Sequence, residues 1–249
     1  MAEIRINATG GVKLYDADDS HYAQIIAGTI TSNVNALTLG HASADFNIPV
    51  KVLGTTPTLT IGDAGAEDTK IVFDGNAQDW HIGLDDSADD FVIGLGSTLG
   101  TTSHIVIDET GAVTKPLQPS FCATMSADGT VSTTSQTAIP FDTERFDQNA
   151  DFNTGTYTFT APVTGRYQLN LGSMFKDATS GNIFMQIVTS NQTYEFVNEG
   201  GGTFEHVAIT ALADMASGDT AVAMTQTASD NDYTQYAGTY SYFSGHLVC

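Results

Sequence analysis

The alternation of apolar and polar positions predicts a chain built from short strands. Between residues 58 and 108 this alternation recurs in five copies, each a five- or six-residue strand followed by a turn rich in Asp, Gly, Ala or Ser. The copies span residues 58–63, 69–74, 80–85, 91–96 and 103–108. Alternation places one apolar pair of each copy on one face: Leu59 and Ile61, Ile71 and Phe73, Ile82 and Leu84, Ile93 and Leu95, Ile105 and Ile107.

Two interpretations of this repeat remain open. Strands this short must stack on each other or on copies in other chains, which favours a β-stem or solenoid-like stalk shared by subunits. The same spacing is also typical of an ordinary β-meander with evenly spaced hairpins. Val72 and Val106 alternate onto the opposite face, so we expect some strands to be covered on both sides.

The rest of the chain divides around this repeat. Residues 1–57 contain a predicted β-hairpin, with strands 12–15 and 22–26 around an acidic loop, and we take this region as a docking region. Residues 109–120 contain two prolines and a glycine and are predicted to be a linker. Residues 121–249 are long enough for one sandwich domain. Because no segment keeps a helical period, we predict an all-β fold.

The charge is strongly acidic, with 29 Asp and Glu residues against 8 Lys and Arg residues and a net charge of −21. Such a surface repels phosphate backbones and anionic membranes, which argues against nucleic-acid partners and membrane insertion. No apolar signal segment follows Met1, so we expect the chain to be made in a cytoplasm.

The C-terminal domain contains a spaced set of aromatic, glycine and aliphatic positions. The set is Phe141, Asp147, Phe152, Phe159, Gly165, Tyr167, Leu169 and Leu171, followed near the end of the chain by Phe243, Gly245 and Leu247. This pattern resembles the complement component 1q and TNF-like superfamily, with Leu169 and Leu171 in place of aromatic residues. The segments 119–123, 215–222 and 243–248 resemble that family's opening, penultimate and closing strands. The resemblance implies a jelly-roll β-sandwich that forms a homotrimer, with these residues as its core and trimer signature.

The N-terminal half resembles structural proteins of tailed bacteriophages. The resemblance lies in residues 11–18, in the Ile-Gly-Leu-Asp-Asp sequence at 82–86 and in the Lys-Pro-x-Gln-Pro segment at 115–119. It implies a non-enzymatic virion protein, either a capsid decoration or head fibre or a short tail fibre. The implied partners are capsid or tail proteins and a host-surface glycan or protein. Two alternatives are a bacterial surface adhesin with a complement-like head and a glycan-degrading tailspike enzyme.

The sequence offers few candidates for chemistry. No nucleophile elbow, phosphate loop, dinucleotide motif or zinc spacing is present, so we predict no catalytic residues and no cofactor. The densest carboxylate cluster is Asp85, Asp86, Asp89 and Asp90, which is a calcium candidate or simply a solvated acidic turn. Cys122 and Cys249 fall on strands that are neighbours in the resembled family, which leaves a disulfide or two free thiols open.

Overall fold

Strands account for nearly all of the regular secondary structure among the described residues. The computed structural model describes residues 50–131, 135–178, 181–228 and 233–249, and the backbone of two further strands near the N-terminus. The strands are β1 Ile4–Asn7, β2 Gly11–Leu14, β3 Thr69–Phe73, β4 Trp80–Asp85, β5 Asp90–Leu95, β6 Ser103–Ile107, β7 Val113–Thr114, β8 Ser120–Thr124, β9 Gly129–Val131, β10 Thr137–Ala138, β11 Thr143–Asp147, β12 Phe152–Asn153, β13 Thr158–Thr160, β14 Gly165–Lys176, β15 Asn182–Thr189, β16 Thr193–Glu199, β17 Phe204–Met215, β18 Thr220–Thr227, β19 Tyr233–Gln235 and β20 Tyr242–Leu247. A single turn of 3₁₀ helix spans Gly238–Tyr240.

Two units divide the chain, residues 1–59 and residues 60–249. In the first unit β1 and β2 form an antiparallel hairpin in which Ile4 lies opposite Leu14. The second strand of the hairpin that the sequence predicts, residues 22–26, lies outside the described residues, as does its acidic loop.

The strand repeat forms a five-stranded antiparallel sheet in the order β3-β4-β5-β6-β7, which we call the stem sheet. Within one chain the strands form a meander of consecutive hairpins, because each strand returns beside its predecessor after a short turn, and the stalk shared by subunits stays a prediction. Four of the five predicted copies are strands. The first, residues 58–63, is not a strand. Gly62 and Ala64 adopt left-handed backbone conformations, and local hydrogen bonds from Asp63 and Gly65 form a turn where pairing would have to continue.

The predicted linker is partly structured. Residues 109–112 form the turn between β6 and β7, in which Asp108 Oδ1 accepts hydrogen bonds from the amides of Thr110 and Ala112. The next residues, 115–119, which we call the connector, are bonded to the C-terminal domain. Gln148 Nε2 donates to Lys115 O at 2.7 Å, and Gln118 Nε2 donates to Leu247 O at 2.7 Å. The connector is therefore attached to the domain that follows it.

The C-terminal domain is a sandwich of two antiparallel sheets. The seven-stranded sheet runs β11-β8-β20-β14-β19-β9, with β17 on the other side of β14. The six-stranded sheet runs β12-β13-β18-β15-β16, with β10 beside β18. One aromatic-rich core fills the space between them, in which Phe121 packs against Phe152, Phe159 and Phe243 at ring-centroid distances of 5.0, 4.7 and 5.2 Å. This architecture is a jelly roll, as the sequence predicts.

The aromatic cluster gives a test of the core. Phe121→Ala removes a fully buried ring that contacts three others, so we expect the free energy of unfolding to fall by about 3–5 kcal/mol. Phe196→Ala is the control, because Phe196 is 47% exposed on the edge strand β16, and we expect a loss below about 1 kcal/mol. Denaturant unfolding of both variants measures the difference, and equal losses would contradict this description of the core.

Candidate assembly interface

The signature residues lie inside the jelly roll. Phe141, Phe159, Tyr167, Leu169, Leu171 and Phe243 are fully buried, Phe152 is nearly so, and Leu247 packs against the same cluster from its edge. Gly165 begins β14 and Gly245 lies in the middle of β20. A Cβ atom at Gly245 would lie 2.7 Å from Leu169 Cδ2 and 2.8 Å from Phe121 Cε1. The structure thus places these residues where they shape the core, and not where another chain would touch them.

Two polar members of the pattern hold loops at the end of the core. Asp147 accepts hydrogen bonds from the amides of Asp151 and Phe152 through its two carboxylate oxygens. The hydroxyl of Tyr167 donates to Val163 O at 2.7 Å, and burial raises the pKa of that phenol. An acceptor is therefore needed at position 147, and a buried ring with a polar tip is needed at position 167.

The surface available to another chain is the side of the seven-stranded sheet that faces away from the core. Residues that alternate with the signature along β8, β14, β17 and β20 point away from the core, and we call this surface the outer face. Its central rows pair Cys122 with Ser244, Asn170 and Thr210, and Thr124 with Tyr242, Gly172 and Ala208. The Tyr242 ring lies over Gly172, where an added Cβ would be only 2.6 Å from Tyr242 Cε1. The middle of the outer face is therefore formed by small and uncharged side chains around one tyrosine.

Carboxylates are nearly absent from the outer face. Asp214, at the end of β17, is the only one on these four strands that alternates to this side, and it lies 3.8 Å from the guanidinium of Arg166. Lys176 adds a second cation at the far end of β14. In a chain with a net charge of −21, this surface can approach its own copies without bringing carboxylates together.

The acidic residues of the stem act as turn acceptors. Asp63, Asp85 and Asp108, which end three copies of the repeat, each accept a hydrogen bond from the residue two positions later. Within the described part of the chain, no three His, Cys, Asp or Glu side chains are grouped closely enough to hold a metal ion. Asp85, Asp86, Asp89 and Asp90 occupy the hairpin turn between β4 and β5 and its flanks, and their role as a calcium candidate stays a hypothesis. In that turn the Asp85 carboxylate accepts a hydrogen bond from Ser87 Oγ.

The two cysteines are free thiols. Cys122 lies opposite Ser244, and Cys249 lies five residues further along, about 15 Å at the rise of a strand. A disulfide needs Cα atoms within about 7 Å, so the pairing that was left open does not occur within this chain. Burial raises the pKa of the Cys122 thiol, although Arg145 acts against it.

No motif in the sequence marks the residues of the outer face. The signature marks the inward positions of β14 and β20, and the outward positions follow only when the period of two is applied to the same strands. The absence of acidic residues between Arg166 and Lys176 is compatible with this face but does not single it out, because longer segments without Asp or Glu occur elsewhere in the chain.

No helix among the described residues is long and apolar enough to cross a membrane. The family model for the C1q domain matches residues 120–248. The chain belongs to this family, whose domains form homotrimers and are typically non-enzymatic binding or structural modules. A trimer fits the family and the fold described above.

Solved structures of the same general shape include three of different origin. The globular domain of zebrafish complement 1qA protein is 17% identical over 53% of this chain and 98% of its own, with a TM-score of 0.40. Murine APRIL is 7% identical over 53% of this chain and 99% of its own, with a TM-score of 0.42. The PRD1 vertex protein P5 is 10% identical over 62% of this chain and 87% of its own, with a TM-score of 0.43. No curated protein matches the chain.

Two stem carboxylates, Asp90 and Asp108, are expected to change the stability of the fold in opposite directions. Partial burial and the charges of Glu109, Asp108, Asp85 and Asp89 raise the pKa of Asp90, so its ionised form opposes folding at neutral pH. The Thr110 hydroxyl and nearby amides lower the pKa of Asp108, so its ionised form favours folding above the ordinary carboxyl pKa of 3.8.

We therefore expect Asp90→Asn to raise the melting temperature at pH 7 and Asp108→Asn to lower it. The Asp90 difference should shrink as the pH falls through its raised pKa toward 3.8, whereas the Asp108 difference should shrink only below 3.8, as the pH falls through its lowered pKa. Added salt should reduce the Asp90 effect more, because part of it is repulsion between exposed charges. A melting temperature that falls in both variants at pH 7 would contradict this assignment.

Proposed function

We propose that this chain, a member of the C1q domain family, is a non-enzymatic structural protein of a bacteriophage particle and works as a homotrimer. Three copies associate through the outer face of the seven-stranded sheet. The jelly roll then forms a rigid head that projects outward from the particle. This head stabilises the particle, as a capsid decoration or head fibre would, or binds a host surface, as a short tail fibre would.

The observation that supports the trimer is the chemistry of the outer face. Small, uncharged residues around Tyr242 leave room for a close approach of backbones, and the single carboxylate, Asp214, lies at the edge beside Arg166. The outward side of the other sheet differs, because its edge strand β16 places Glu195 and Glu199 there. Self-association of so acidic a chain is thus favoured through the first sheet.

The assignment to a virion is supported by the N-terminal sequence pattern. Its repeat of short strands with acidic turns and its Lys-Pro-x-Gln-Pro connector resemble phage structural proteins. The gene should lie among capsid or tail genes, and labelled antibody should decorate purified particles. A position beside secretion genes would favour the adhesin alternative, and cleavage of a host polysaccharide would favour the tailspike enzyme.

A charge placed on the outer face tests the trimer. Thr210 is exposed on β17, so Thr210→Glu should bring three new carboxylates together in the trimer and weaken association at least tenfold, about 1.4 kcal/mol or more. Thr193→Glu is the matched control, because Thr193 is an exposed residue on the edge strand of the other sheet. Sedimentation velocity over a dilution series measures both variants against the unmodified chain.

The control should assemble as the unmodified chain does, and both variants should keep the same denaturation midpoint at concentrations where they are monomeric. A monomeric unmodified chain at micromolar concentration, or equal weakening by both substitutions, would falsify the proposed interface.

A further inference from the structure

One side of the stem sheet is an apolar surface that the described residues of the chain leave partly exposed. The ladder aligns Ile71, Ile82, Ile93 and Ile105 directly across four strands. Two neighbouring rows on the same side of the sheet flank the isoleucine row. One contains Leu84, Phe91, Ile107 and Val113, and the other contains Phe73, Trp80 and Leu95. No Asp, Glu, Lys or Arg alternates onto this side of β3 to β7, and a register shift between β5 and β6 brings the His104 ring within 4.9 Å of the Trp80 ring. We call this surface the isoleucine face.

The opposite side of the stem sheet is the one covered within the chain. Residues 96–102 fold over it, Leu99 Cδ1 lies against Gly83, and Lys70 Nζ donates to Ser97 O at 2.6 Å. His81 and Val92 are fully buried there. On the isoleucine face, by contrast, Trp80 is 40% exposed and Phe91 is 42% exposed. Among the described residues, one side of the stem sheet is therefore covered and the other side is partly exposed to solvent.

An exposed apolar surface of this size is often a binding site. The five strands contain 24 residues. With strands about 4.8 Å apart and residues about 3.3 Å apart, they form a patch of roughly 400 Å². That is within the range of about 300–600 Å² for the largest apolar patch on typical monomers. Three such patches together provide about 1,200 Å², at the lower end of the range of about 1,200–2,000 Å² that specific interfaces bury.

The connector limits where that partner is found. Five residues separate β7 from β8, and five residues span at most about 18 Å. Gln148, Asn149 and Gln118 bond this connector to the head, so the stem sheet begins at a fixed point on each jelly roll. If three heads share an axis, three stem sheets begin close to that axis.

We propose that the isoleucine faces of three copies of this chain pack against one another and form a closed, three-sided apolar stem below the heads. This inference rests on the trimer of the proposed function and assigns a second interface to it. The acidic turns lie at the ends of the strands, where they stay in water while the apolar rows meet. The partner is thus this same chain, and the stem contact is separate from the outer face of the head.

The single tryptophan reports on this contact, because Trp80 lies on the isoleucine face. In the full-length trimer we expect acrylamide to quench Trp80 several-fold less than it quenches the denatured chain. Phe91→Glu should raise the quenching constant at least threefold while the heads keep the protein trimeric. Phe196→Glu, at a similarly exposed phenylalanine of the head, should leave Trp80 protected.

A cross-linking experiment tests whether the isoleucine face is covered by another copy of the chain. With both native cysteines replaced by serine, Leu84→Cys should give covalent dimers with a short bismaleimide, whereas Ser97→Cys on the covered side should give none. A trimer with fully accessible Trp80 would overturn the stem inference and leave the head trimer standing. Protected Trp80 without cross-links would also overturn it, since residues 1–59 or another protein would then supply the cover. A monomeric chain would contradict both proposals.

Discussion

Charge repulsion constrains every association that this chain can make with itself. A net charge of −21 means that two copies meet favourably only through surfaces from which carboxylates are excluded. The fold meets this requirement by placing many acidic residues in turns, where backbone amides and hydroxyls bond them. Asp108 bonds to Thr110 and Ala112, and Asp142 accepts from the Ser126 amide and hydroxyl. Two sheet surfaces, the outer face of the head and the isoleucine face of the stem, are left nearly free of carboxylates.

The two neutral surfaces differ in how they gain from association. The isoleucine face gains by removing apolar area from water, at about 25 cal/mol per Å². The outer face of the head contains fewer large apolar side chains and more hydroxyl and amide groups, so its contribution depends on close fit and hydrogen bonding. Salt should therefore act on both contacts mainly by relieving the repulsion between their acidic rims.

Local pattern was enough to predict the stem strands β3 to β6 but not which surface of the stem sheet is free. The stem strands β3 to β6 were located to within a residue, because alternation and Asp-ended turns are short-range features. The segment 58–63 has the same alternation but is not a strand. A strand forms only where it can pair with a neighbour, and the turn at Gly62 and Ala64 interrupts the extended backbone that pairing needs. Alternation separates two faces of a sheet, but the cover supplied by Leu99 from a loop could not be read from it. Likewise the signature located the core of the head, because family patterns preserve packing residues such as Phe159 and Gly245.

The connector makes the two interfaces cooperate. When three heads associate, the bonds from Gln148 and Asn149 hold each stem sheet near its neighbours, so the stem contact becomes intramolecular and gains from a high effective concentration. A flexible linker of the same length would lose part of this gain to chain entropy. The reverse also holds, because a closed stem keeps three heads together even when their own contact is weak. The affinity of each interface can therefore be low by itself. This allows the acidic monomer to stay soluble until assembly, while the completed trimer is held together at the head and at the stem.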